Sequence, residues 1–319
     1  MADRRQLGYV SSTVSTAVPA YAMGYGSSPY YYTGSSYRYA IFTASGTFVA
    51  STTSADVIVV AGGGGAGAGG GGGGAGGVRN LIAATFVVGN SYAVTVGAAG
   101  TSHNTTPTNG GNSSIVTSST TISATGGGRG GTASQAAASG GSGGGAYSTN
   151  SGAAGNAGSY TPVEGYAGAT GRNSEGGSSG SGGGATSAAL AGAQGAPYGG
   201  GNRDVSGRVG TGFALPNDLT NFSFFDLLRA PSASSQYTNT IIENVAIAWG
   251  GMGYGYAGYQ GVWGVGQGVV GNYTGGFGST YNTPVVGAKG YGSGACSGTG
   301  TYGYYGSATG GIVIVRYAL

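Results

Sequence analysis

Charge is scarce in this chain. Only 6% of its 319 residues are acidic or basic, and a single lysine, Lys289, accompanies scattered arginines. No basic patch for nucleic acid can be assembled from them, and Arg129 followed by two glycines is too little for an arginine-glycine RNA-binding segment. Cys296 is the one cysteine, so an intrachain disulfide or a cysteine-based zinc site is excluded; it reads as a small buried or loop thiol. Proline is limited to 8 residues and strict Gly-X-Y periodicity is missing, which excludes collagen. The N-terminus lacks an apolar core of signal-peptide length, and no apolar run approaches 18 residues, so neither secretion by a cleaved signal nor membrane insertion is expected.

Chemistry is equally thin. His103 is the only histidine and sits among Ser, Asn and Thr in what reads as an exposed turn. The 8 acidic residues do not cluster. A paired-carboxylate glycosidase would need two carboxyls about 5 to 9.5 Å apart, and nothing in the spacing singles out such a pair. No catalytic residue, metal ligand or cofactor is expected, and the chain is read as a non-enzyme.

What is abundant is glycine, 76 residues, and tyrosine, 24. The strand-like stretch 56–60 runs into a glycine-rich segment, 62–77. Gly62, Gly64 and Gly67 satisfy the dinucleotide pattern G-x-G-x-x-G, but that motif needs a helix behind it and an acidic residue about 20 positions on. More glycine follows instead, each one costing a helix interior about 1 kcal/mol, and the next acidic residue after Asp56 is Glu164. Low charge and 39% apolar residues also argue against ordinary disorder. Ordering so much glycine is entropically expensive and calls for many backbone hydrogen bonds. Packed polyglycine II helices supply them, because a three-residue turn with no internal bonds leaves every peptide group for a neighbour.

Residues 1–37 read as an N-terminal attachment arm rich in Ser, Thr and Tyr. Residues 38–125 form a β-strand module, with strands expected at 39–42, 47–49, 56–60, 86–88, 92–96, 114–116 and 121–124, divided by turns at 45–46 and 89–90. Residues 126–212 are the polyglycine II-type region. Residues 213–250 contain a short helix, from Leu219, Phe222, Phe225 and Leu228 at helical spacing, and further strand at 241–242 and 245–249. Residues 251–319 hold aromatic glycine-rich loops and a closing strand, 311–317, which should pair with 56–60. The fold is therefore expected to be mainly β, a short-strand β-sandwich or jelly-roll-like module with glycine-rich excursions forming polyglycine II helices.

The ordered series 39–48, 55–65, 92–97, 124–128 and 310–316 resembles the glycine-rich domain of bacteriophage tail-fibre and other virion appendage proteins, over about residues 38–319. The resemblance extends to tail-fibre tip adhesins, in which packed polyglycine II helices carry loops that recognise host receptors. It implies a virion protein, made in the host cytoplasm and assembled on the tail or fibre, whose partners are other virion or tail-fibre proteins and a host surface glycan or outer-membrane protein. A homo-oligomer, a trimer, is entertained as well; nucleic acid and membrane insertion are not. Aromatic side chains between glycines give rigid contact area at low entropy cost. Tyr254, Tyr256, Tyr259, Trp263, Tyr273, Phe277 and Tyr281 are accordingly the candidate receptor-binding residues, and Arg4, Arg5, Tyr30, Tyr31 and Tyr32 the candidates for virion attachment. The alternative is a purely structural appendage or decoration protein without receptor binding.

Overall fold

A computed structural model describes residues 28–33, 36–67, 69–171, 179–189, 210, 213–214, 246–248, 250–251, 290–297 and 306–319. Its strands, in chain order, are β1 (Tyr30–Thr33), β2 (Tyr37–Phe42), β3 (Gly46–Val49), β4 (Ser54–Val60), β5 (Val78–Thr85), β6 (Ser91–Thr95), β7 (Ser113–Val116), β8 (Thr121–Ala124), β9 (Phe213–Ala214), β10 (Ala246–Ile247) and β11 (Ile312–Ala318). No helix occurs among the described residues. The strands form a five-stranded sheet, β1-β2-β11-β4-β5, a four-stranded sheet, β3-β6-β7-β8, and the short pair β10-β9, all antiparallel.

Two apolar layers explain the sequence pattern. Phe42, Val57, Val59, Val313 and Val315 of the large sheet pack on Phe48, Tyr92, Val94, Ile115 and Ile122 of the small one, forming the sandwich core. The alternate residues Tyr39, Ile41, Ile58, Val60, Ile312 and Ile314 face the other way, against Ile247, Ala248 and Tyr291. The centre of the large sheet is thus covered on both faces, which is why β4 and β11 read as unbroken apolar runs. The expected pairing of 56–60 with 311–317 is observed: Val313 lies opposite Val59 and Val315 opposite Val57.

Two strand expectations need correction. Residues 86–88 are not a strand: Phe86 is buried edge-on against Phe48 and Tyr92, while Val87 and Val88 are exposed beside Gly89, whose φ of 84° makes the turn. The strand there is β5, which the sequence reading missed. It is an edge strand with exposed Leu81 and Ile82, and a bulge breaks its alternation. Ala83 takes φ 56° at that bulge, and its N–H donates to Asp56 Oδ1 at 3.1 Å.

Between the strands, the glycine-rich segments run side by side as polyglycine II helices with a three-residue hydrogen-bond period. Ala61 and Gly64 donate to Gly77 and Gly74, Gly62 and Gly65 to Gly111 and Thr108, and Gly63 to Thr309. The same segment accepts from Gly127 and Gly130, from Gly100 and His103, and from Ala295. Its neighbour repeats the rule: Gly71, Gly74 and Gly77 donate to Gly131, Gly128 and Thr125, Gly72 and Ala75 to Gly180 and Gly183, and Gly73 and Gly76 to Ala295 and Gly292. Bonds leaving a segment every third residue in three directions are what a three-fold helix without internal bonds requires. Glycine is needed for approach. A Cβ on Gly64 would strike the Gly128 carbonyl, and one on Gly73 the Gly64 carbonyl. The first glycine run, grouped with the strands by sequence, forms the buried middle of this bundle.

Candidate functional site

The direction of the bundle follows from its bonds. Ala61 and Gly77 join it to β4 and β5, so the turn at 67–70 lies at the end away from the sheets. Other turns collect at that end. His103 donates its backbone N–H to Ala66, and Gly71 donates to Gly131, after which comes the turn 132–138. Ala146 bonds Ala169 and Gly180, so the turn following Ala146 is there too. Ser297 and Gly306, which flank residues outside the described set, are also close: Gly70 donates to Ser297 Oγ, and Gly306 to the Cys296 carbonyl.

The free end is polar and carries no carboxylate, lysine or arginine in its described turns. Thr105, Thr106, Ser134, Thr149 and Asn150 are exposed. His103 is exposed as expected and folds onto its own turn, with Nδ1 accepting the N–H of Thr105 at 3.2 Å and of Thr106 at 3.1 Å. Hydroxyls finish the chain ends between segments. Ser102 Oγ accepts from Ala66 and donates to the Gly306 carbonyl, so one side chain bridges two segments that also bond directly through Gly63 and Thr309. Such an end offers hydrogen-bonding groups on a backbone-bonded support. It offers no cluster for metal chemistry: no group of three His, Cys, Asp or Glu side chains able to hold an ion is found among the described residues, nor any helix long and apolar enough to cross a membrane.

The residues singled out by sequence fall in several places. Tyr254, Tyr256, Tyr259, Trp263, Tyr273, Phe277 and Tyr281 lie outside the described residues, between Gly251, whose N–H bonds the Gly73 carbonyl, and Gly290. Arg4 and Arg5 are likewise outside, as are the helical positions Leu219, Phe222, Phe225 and Leu228; Phe213, just before them, is in β9. Tyr30, Tyr31 and Tyr32 are in β1, in register with Ile41, Ala40 and Tyr39. Tyr30 packs against the core, while Tyr31 is 52% exposed and its hydroxyl pKa is raised by partial burial and by the nearby Tyr317. Tyr291, by contrast, is a core residue.

A family description for glycine-rich domains matches residues 42–318, almost the whole of the sandwich and bundle just described. The chain belongs to the glycine-rich domain family. No curated protein and no solved structure matches it. Within this glycine-rich domain, sequence reasoning overlooked three polar groups. Glu164 is fully buried, with Oε2 accepting from Thr125 N–H at 2.7 Å and Oε1 from Gly158 N–H at 3.0 Å. Arg316 pairs with Asp56 across β11 and β4. Asn109 and Asn112 bond the backbone of a neighbouring segment; their separation by three, the polyglycine II period, was the available signal.

Proposed function

We propose that this glycine-rich domain is part of a bacteriophage virion, a tail-fibre or spike component that binds a host cell-surface receptor. The observation that carries the reading is the bundle itself. Its backbone lattice holds closely packed segments, and the turns at 67–70, 103–106, 132–138 and after Ala146 gather at the end opposite the β-sandwich, the construction needed to present recognition loops on a rigid support. The resemblance of the strand and glycine segments to virion appendage proteins supports the same reading. Of the N-terminal attachment candidates, Arg4 and Arg5 together with the exposed Tyr31 would join other virion or tail-fibre proteins, in a homotrimer if the appendage is three-fold, while Tyr30 is taken up by the domain's own core. The aromatic residues between Gly251 and Gly290 would meet a host surface glycan or outer-membrane protein.

Trp263 and Tyr259 provide the test. Truncating a central aromatic of an interface costs about 2 kcal/mol or more, so phage carrying Trp263→Ala or Tyr259→Ala should adsorb to host cells more than about tenfold less well. The purified variants should keep the unaltered protein's melting temperature. Normal adsorption by folded variants would overturn the receptor role and leave a structural decoration protein.

A further inference from the structure

One edge of the bundle is closed by side chains where a neighbouring backbone should be. Segment 125–131 donates in three directions. Gly127 and Gly130 bond Gly62 and Gly65, and Gly128 and Gly131 bond Ser142 and Gly145. The third direction, from Gly126 and Arg129, meets Asn112 Oδ1 at 2.8 Å and Asn109 Oδ1 at 2.9 Å. A backbone N–H can only donate, so each asparagine must present its oxygen. The amide carbonyl of asparagine reproduces a peptide carbonyl, and the three-residue spacing of Asn109 and Asn112 matches that of Gly126 and Arg129. Both asparagines are exposed, so this is an outer flank.

We infer that this flank is a docking row for one more polyglycine II segment, and that Asn109 and Asn112 fill it within the chain so that the lattice does not continue onto a second copy. A second copy has a segment of the right period. At the opposite margin Ser151, Ala154 and Ala157 are exposed at intervals of three, with less exposed residues between them, a row of small side chains that leaves its backbone approachable. An open donor row facing such a margin is the polyglycine counterpart of an unprotected sheet edge, which pairs with whatever backbone is available.

The double variant Asn109→Ala/Asn112→Ala tests this by sedimentation velocity of the full chain. It should self-associate at least about tenfold more tightly than the unaltered protein. The variant Asn109→Asp/Asn112→Asp, which retains both acceptor oxygens, should sediment unchanged. Should the double alanine variant not fold, Asn109→Ala alone decides, since it frees only the Arg129 N–H, and it should still shift the protein toward larger species. Unchanged sedimentation of the folded alanine variant, or equal association of the aspartate variant, would overturn the inference.

Discussion

The buried carboxylate of Glu164 accepts the backbone N–H of Thr125 at 2.7 Å, at the point where β8 passes into the glycine bundle. Its other oxygen holds Gly158, and its own backbone carbonyl accepts from Val78 at the start of β5. One side chain therefore ties the outer layer of the bundle to the junction of bundle and sheets.

Removing it should be costly. Glu164→Ala leaves the Thr125 and Gly158 N–H groups without acceptors, and each such buried donor costs about 1 to 3 kcal/mol. Urea unfolding should show a loss of roughly 2 to 5 kcal/mol on the same basis, and Glu164→Gln, which keeps one acceptor oxygen, should lose less. Equal stability of the alanine variant would show that the carboxylate is incidental.

The Asp56–Arg316 pair should matter far less. Arg316 Nη2 lies 2.6 Å from Asp56 Oδ2, and its guanidinium also sits over the Tyr37 ring at 4.7 Å, but both side chains are partly exposed. Opposed charges across a strand pair contribute about 0.2 to 1 kcal/mol. Arg316→Ala should therefore lower stability by about 1 kcal/mol, and the difference should shrink in salt. A salt-independent loss several times larger would point to a packing role instead.

Tyr291 predicts an alkaline limit. Burial, and secondly the nearby Tyr30, raise its hydroxyl pKa from 10.0 to about 12. A folded-state pKa above the unfolded one means stability that is intact below the unfolded value and lost as pH rises from 10.0 through about 12. Tyr291→Phe should flatten the decline in melting temperature over that window. An identical alkaline decline in the variant would assign it to other groups.

Much of the sandwich was legible because its strands are buried in simple ways. β4 and β11 are apolar on both faces, and β6, with Tyr92 and Val94 inward, alternates cleanly. β5 escaped because an edge strand with a bulge at Ala83 has no period to read. The bundle was legible in kind but not in extent. Glycine content announces close backbone approach, yet whether Gly64 meets Gly128 or a strand depends on contacts between segments distant in sequence, and no local period encodes them. Glu164 was invisible for the same reason: its donors, Thr125 and Gly158, are backbone groups that any residue supplies.

Glycine serves here as a contact residue, so that a lattice of backbone hydrogen bonds holds the free end in place. Equilibrium unfolding of Gly64→Ala beside Gly310→Ala tests it. A methyl at Gly64 would collide with the Gly128 carbonyl, whereas at Gly310 the nearest atom is 3.6 Å away, an ordinary contact. Gly64→Ala should lose about 3 kcal/mol or more, or fail to fold, and Gly310→Ala should stay within about 0.5 kcal/mol of the unaltered protein. Equal stability of the two variants would contradict the lattice.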